Sequence, residues 1–183
     1  GHGAFGKLIA TLVRRFAPST EVRIYSSKRE PDGKEFFSLP DVASSDAVIL
    51  AVPIHAFEEA LLKILPLARP DTVIVDVCTV KVHTVNLLKK HASGKQWVAT
   101  HPMWGPESYE KKKGDVTGFR IVIAESTLSE GNVQALSDAL KQVGFDVVSI
   151  DAETHDKHLA ETLFLTHFVG QVIARAGFDR TEI

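Results

Sequence analysis

The run Thr100-His101-Pro102-Met103-Trp104-Gly105-Pro106-Glu107-Ser108 gathers a base, a rigid turn, a large apolar wall and a carboxylate in one short stretch. A neutral imidazole can take a proton from a hydroxyl near neutral pH, which an aspartate or lysine does only after a large pKa shift. His101 is therefore the leading candidate for proton chemistry, while His55, His83 and His91 read as ordinary surface or core groups. A second chemistry is suggested by Gly1-His2-Gly3-Ala4-Phe5-Gly6, which has the spacing G-x-G-x-x-G and runs into Leu8, Ile9, Leu12, Val13 and Phe16 at helical intervals. In a phosphate-binding loop of this form, Gly1 and Gly3 turn tightly and let the backbone approach a pyrophosphate. Gly6 lets the helix lie close on the sheet, and the free N–H groups of the first turn, from Ala4 and Phe5 on, face the anion. His2 would serve there only through its backbone. Glycines this dense also make ordinary turns, and a phosphate loop should follow a strand. Two readings stay open: a turn alone, or a phosphate loop whose leading strand is missing before Gly1.

The elements that would position these residues alternate along the chain. The first helix should end before Pro18, which cannot continue its hydrogen-bond ladder. Glu21–Tyr25 alternates like a short strand, and residues 30–44 form a polar connection with room for a short turn of helix or strand. Ala47–Val52 is an apolar run of the kind buried on both faces of a sheet. A helix face follows at Phe57, Ala60, Leu61, Ile64 and Leu65. Thr72–Val77 repeats the strand, Thr79 can cap the next helix, and Trp97–Ala99 gives a third strand ending at Thr100 and His101. Gly105–Gly118 reads as a loop with Lys111, Lys112 and Lys113 solvated at its middle. Phe119–Ile123, a helix face from Val133 to Val143 and a strand at Phe145–Ile150 complete the pattern. Alternation at this spacing predicts an α/β fold, a doubly wound, mostly parallel sheet of the Rossmann-like kind with helices on both faces. That dinucleotide-binding domain spans 1–150. From Asp151 to Ala176 a long proline-free helical pattern leaves it, so 151–183 reads as a linker helix opening a truncated second helical domain, the alternative being a tail helix on a complete domain.

In such a sheet ligands sit beyond the carboxyl ends of the strands. Ser26, Ser27, Lys28, Arg29, Val52, Pro53, Cys78, Thr79, Thr100 and His101 all fall there. An NAD site usually carries an acidic residue after the second strand. Here two serines, a lysine and an arginine stand instead, and these can pair with a 2′-phosphate. The expectation is NADP, with NAD possible; Lys28 and Arg29 can equally form a solvated corner. Nothing around Cys78 argues for a lowered thiol pKa.

Bulk properties narrow the classes. A formal net charge of −2 and the lack of a basic block give nucleic-acid binding no support. One cysteine excludes an intrachain disulfide framework and a cysteine-based zinc site, and suits a reducing cytoplasm. No apolar run approaches the roughly 20 residues of a membrane-crossing helix.

These motifs together resemble those of the prephenate and arogenate dehydrogenases of tyrosine biosynthesis, in their nucleotide-binding half. The resemblance rests on Gly1–Gly6, Asp76-Val77-Cys78-Thr79-Val80-Lys81, Thr100–Ser108, His155-Asp156-Lys157 and Phe164-Leu165-Thr166-His167. The form of these motifs and Ser26 look closer to the plant-like arogenate branch. The resemblance implies oxidative decarboxylation of arogenate or prephenate with hydride transfer to NADP. It makes His101 the acceptor for the ring hydroxyl proton and Thr79, usually serine in the family, the hydroxyl that orients it. Glu107 would lie at the mouth of the site, and Thr166 and His167 would line the substrate pocket. His155 and Asp156 read as structural hydrogen-bonding groups, and Gly170 stands where some bacterial members carry a histidine. The expected partner is a small-molecule substrate, with no metal, nucleic acid or membrane. The full-length protein is expected to be a cytoplasmic homodimer, an organellar address remaining open. Two other readings are a dehydrogenase of similar architecture acting on another hydroxy acid, and a non-catalytic NAD(P)-binding module.

Overall fold

The structure, a computed structural model, describes residues 1–177. Its frame is a five-stranded sheet in the order β1 (Ala47–Leu50), β2 (Val73–Asp76), β3 (Gln96–Pro102), β4 (Arg120–Ser126) and β5 (Asp146–Ser149). Strands β1, β2 and β3 run parallel, β4 runs antiparallel to β3, and β5 is parallel to β4. The expected Rossmann-like α/β class therefore holds, with one reversed step. A parallel crossover needs a helix that carries the chain back to the start of the sheet. The segment between β3 and β4, which holds one short helix, instead turns back beside the end of β3, with the Met103 N–H donating to the Arg120 carbonyl (2.9 Å).

Helices α1 (Ala4–Phe16), α2 (Leu39–Ala43), α3 (Phe57–Ile64), α4 (Lys81–His91), α5 (Pro106–Lys111) and α6 (Glu130–Val143) accompany the sheet. Two apolar clusters form the core. One joins Val48, Leu50, Ile74 and Ala99 of the strands to Phe57, Leu61, Ile64, Val85 and Leu88 of α3 and α4. The other joins Leu8 and Leu12 of α1 to Val116, Ile121 and Phe145, with Leu140 of α6 packed against it. Burial of these side chains is the main force closing the fold, at ~1.5–3 kcal/mol for each large one.

Three expectations change. The strand over Glu21–Tyr25 is reduced to a single bridge between Ile24 and Phe36. The Asp32 carboxylate accepts from the N–H groups of Lys34, Glu35 and Phe36 (2.9, 2.8 and 2.9 Å), and this turn leaves little extended chain to pair with. The Gly105–Gly118 loop contains α5, whose first residue Pro106 has its φ already set for a helix start. The long C-terminal helix is α7 (Ala152–Leu159) and α8 (Leu165–Arg175) joined through a π-helical turn at Ala160–Phe164. Residues 178–183 of the expected second-domain span lie outside the described residues.

Candidate active site

The site is built on a buried ionic anchor where β2 and β3 end. Asp76 and Lys81 are both fully buried, and the Lys81 ammonium donates to the Asp76 carboxylate and to the Thr100 carbonyl (2.7 Å). Asp76 also accepts from the Cys78 N–H (2.8 Å) and the Thr84 hydroxyl (2.5 Å), so its charge is well partnered. Burial pulls the Lys81 pKa below the ordinary lysine value, with the Asp76 charge opposing. The Thr100 hydroxyl donates to the Asp76 carbonyl (2.7 Å), stitching the two strand ends beside His101.

The start of α4 is capped from a distance. Thr79, the expected cap, is not at the N-cap position, which belongs to Val80 with no side-chain cap of its own. Asp156 of α7 accepts from the N–H groups of Lys81 (2.8 Å) and Val82 (2.9 Å) instead. A carboxylate placed there satisfies two orphan donors and meets the positive end of the helix dipole. Burial works against the Asp156 charge, yet these two N–H groups and the His155 ring hold its carboxyl below the usual range. The same aspartate lies 2.8 Å from His155 Nδ1, and His155 Nε2 lies 3.0 Å from His101 Nδ1. Both imidazoles are buried, at 5% exposure for His101 and 4% for His155.

His101 thus sits at the end of a line of polar groups running in from α7. Burial first, then the neighbouring His155 and Lys81, push its pKa down to about 4. At pH 7 it is a neutral imidazole, able to accept a proton. It lines a cleft of about 520 Å³ with Thr79, Pro102, Met103, Trp104, Thr162, Leu163, Thr166 and His167. The structure therefore brings four expected residues, Thr79, His101, Thr166 and His167, to one cavity. The π-helical turn lies where α7 gives way to α8, and it shifts the register with which Thr162, Leu163 and Thr166 meet the cleft; such turns recur at functional sites. Trp104 forms the apolar wall, stacked on Phe119 (5.4 Å) and Phe145 (5.5 Å). Glu107 is not part of the lining. It is exposed in the first turn of α5, where a carboxylate suits the helix dipole.

A second cleft of about 250 Å³ reaches Val77, two residues before Thr79 of the first. It is lined by Gly3, Ala4, Phe5, Gly6, Ala51, Val52, Pro53 and Val77. A Cβ on Gly1 would stand 2.3 Å from the Ala51 carbonyl oxygen, and one on Gly6 would stand 2.2 Å from that of Gly1. These two glycines permit the close packing of loop, helix and strand end. A Cβ on Gly3 would meet nothing within 4 Å, so this glycine faces the open cleft. The first helical bond of α1 runs from the Lys7 N–H to the Gly3 carbonyl (3.0 Å), which leaves the N–H groups of Ala4, Phe5 and Gly6 for an anion. A cradle of bare backbone at a helix start fits the pyrophosphate of a dinucleotide.

The Ser26–Arg29 turn is tied to this loop through a residue the sequence did not single out. The His2 ring packs edge-on against Phe36 (4.8 Å), and the Arg29 guanidinium lies over the same ring (5.7 Å). Ser27, Lys28 and Arg29 are exposed, and the Lys28 N–H donates to the Ser26 hydroxyl (3.3 Å). Cys78 is buried with its thiol pushed up to about 12, mainly by burial, and is no nucleophile at neutral pH. Lys112 folds over the Phe119 ring (4.7 Å). Among the described residues no helix is long and apolar enough to cross a membrane.

Comparison with known proteins places this geometry in context. A family model described as the nucleotide-binding domain of prephenate dehydrogenase matches residues 33–148, a span containing Val52, Pro53, Thr79, His101 and Glu107. The chain is 30% identical over 199 residues to the chloroplastic arogenate dehydrogenase 1 of Arabidopsis thaliana, covering 100% of this chain and 30% of that protein. It is 25% identical over 183 residues to the cyclohexadienyl dehydrogenase of Zymomonas mobilis, covering 92% of this chain and 62% of the relative. The chain thus spans less than two thirds of either relative. Plant and bacterial relatives match at comparable levels, so the likeness does not single out the plant branch. In fold, the chain is similar to the prephenate dehydrogenase of Aquifex aeolicus in complex with hydroxyphenyl propionate and NAD+. That likeness has a TM-score of 0.72 at 22% identity and covers 93% of this chain and 65% of the other.

Proposed function

The chain belongs to the prephenate dehydrogenase family, whose nucleotide-binding domain it carries, and from that premise we propose that it oxidises arogenate or prephenate with NADP as hydride acceptor. The observation that carries the reading is a buried, neutral His101 in a cleft shared with Thr79, Thr166 and His167, with Val77 of the same loop as Thr79 lining the glycine-lined cleft. The backbone of Gly3, Ala4, Phe5 and Gly6 would hold the pyrophosphate, with Val52 and Pro53 closing the opposite wall. A nicotinamide bound there supplies the two-electron acceptor.

The residues of the chain divide the remaining work. His101 takes the proton of the ring hydroxyl as the carbon bearing it is oxidised, a contribution worth ~10²–10⁴ in rate. Thr79 offers a hydroxyl in the same cleft, and Trp104 and Met103 give the apolar wall against which a six-membered ring can lie. Thr166 and His167 supply polar contacts from α8. Loss of carbon dioxide from the oxidised ring gives an aromatic product and makes the step effectively irreversible.

NADP is favoured over NAD by the Ser26–Arg29 turn, which presents hydroxyls and positive charge where a carboxylate would repel a 2′-phosphate. Arogenate over prephenate rests on the absence of a histidine at Gly170, and on Glu107 only if α5 carries this exposed carboxylate, which lies outside the cleft lining, to the substrate ammonium. The test is kcat/KM for arogenate and for prephenate, each with NADP and with NAD. Turnover of either substrate with NADP preferred is the expected result. Turnover of a hydroxy acid lacking the cyclohexadiene ring, with neither of these two used, would replace the reading by a different dehydrogenase.

A further inference from the structure

The two buried histidines and Asp156 form a line whose hydrogen-bond directions follow from one end when His155 carries a single ring proton. Asp156 accepts the N–H groups of Lys81 and Val82, and a carboxylate so partnered is an acceptor only. Its 2.8 Å contact with His155 Nδ1 therefore requires a proton on that nitrogen. A neutral His155 then has a lone pair at Nε2, which can only accept. At 3.0 Å, the partner atom His101 Nδ1 must donate. With its proton fixed on Nδ1, neutral His101 carries its lone pair on Nε2, the sole ring position left for a proton from substrate.

We propose that His155, itself held by Asp156, is a positioning residue that fixes His101 in the Nδ1–H tautomer with Nε2 as the proton acceptor. The proposal rests on the reading of His101 as the base, and gives the orienting task to His155 rather than to the Thr79 hydroxyl. When the substrate O–H bond breaks and an N–H bond forms at His101 Nε2, the new imidazolium donates through Nδ1 to His155, whose other nitrogen faces the Asp156 carboxylate. The charge that appears on His101 is thereby met by an oriented acceptor and, behind it, by an anion. The other charged groups packed around the pair are Lys81 at the start of α4 and Asp76 of β2, which neutralise each other. His167 of α8 lines the same cleft.

The same aspartate caps α4, so Asp156 variants would disturb both functions, and the test is better made at His155. The first measurement needs no substitution and no substrate. In two-bond proton–nitrogen spectra of the histidine-labelled protein at neutral pH, His101 and His155 should each show a protonated Nδ1 and a lone pair at Nε2. A protonated Nε2 on His101 overturns the proposal whatever the substrate proves to be. The second uses kinetics. His155→Leu removes the acceptor and should lower kcat roughly 10²-fold while leaving the KM for NADP unchanged. His155→Gln puts an amide oxygen near the place of Nε2 and should recover kcat to within about tenfold of the parent. An unchanged kcat in His155→Leu, or equal losses in the two variants with the tautomer of His101 unaltered, would reduce His155 to packing. Should the parent turn over neither arogenate nor prephenate, the functional reading fails and the spectra still decide the tautomer.

Discussion

Replacing Lys81 by methionine should destabilise the fold far more than an average substitution. Lys81 and Asp76 are both completely buried, so water cannot replace the lost cation. In the variant Asp76 keeps two donors, the Cys78 N–H and the Thr84 hydroxyl, but has no counter-charge. The Thr100 carbonyl also loses its bond to the ammonium. Leaving one member of a buried pair alone costs about 3–5 kcal/mol, against a total stability of about 5–15 kcal/mol for a domain. For a chain of this size the midpoint should fall by roughly 6–20 °C. Urea and thermal unfolding of Lys81→Met give the two numbers. The double variant Asp76→Asn/Lys81→Met supplies the control, since it removes the stranded charge and should cost less than the sum of the single changes. A loss below about 1 kcal/mol for the single variant, or strict additivity in the double, would refute the claim that this ion pair anchors the strand ends.

Four further outcomes follow from the geometry. Because the His101 pKa lies at about 4 in the folded protein against an ordinary 6.5, the unfolded chain binds a proton in that window that the folded one does not. Stability should drop by about 3 kcal/mol as pH falls from 6.5 to 4, and His101→Asn should flatten the dependence in pH-resolved denaturation. Gly6→Ala should cost ~1–3 kcal/mol by driving a Cβ against the Gly1 carbonyl. Gly3→Ala should leave stability within about 0.5 kcal/mol but weaken NADP roughly tenfold, as read by unfolding and by cofactor titration. Ser26→Asp should lower NADP affinity relative to NAD by about one to two decades, the worth of a charge-assisted contact, which a competition titration measures.

The legible parts of this chain were those where one local rule decides. Short apolar runs such as Val48–Leu50 and Ile74–Val75, closed by turn residues, read as buried strands and are strands; the spacing expected Gly1 to admit a pyrophosphate, whereas its tight contact is with the Ala51 carbonyl. The cleft of Thr79, His101, Thr166 and His167 was legible only through the family resemblance, since no periodicity links residues on β3 and α8. Several features depend on partners distant in sequence. The cap of α4 lies on α7, 75 residues away, so the nearby Thr79 looked the better choice. The role of His155 appears only when α7 packs on α4 and sets its ring against His101, 54 residues earlier in the chain. Phe36, which ties His2 to Arg29, sits in what reads as a polar connection, and the reversal of β4 depends on where the loop after β3 turns back. Exposure of Glu107 follows from α5, a helix that the glycine- and proline-bounded segment did not announce.

Whether His101 is the proton acceptor is decided by the turnover of His101→Asn at saturating NADP, with arogenate or prephenate as substrate and reduced nicotinamide as the readout. kcat should fall ~10²–10⁴-fold, because the amide cannot take the hydroxyl proton, while NADP affinity measured by titration stays that of the parent. Retained turnover together with lost NADP binding would contradict it, and would move His101 from proton chemistry to the cofactor cleft.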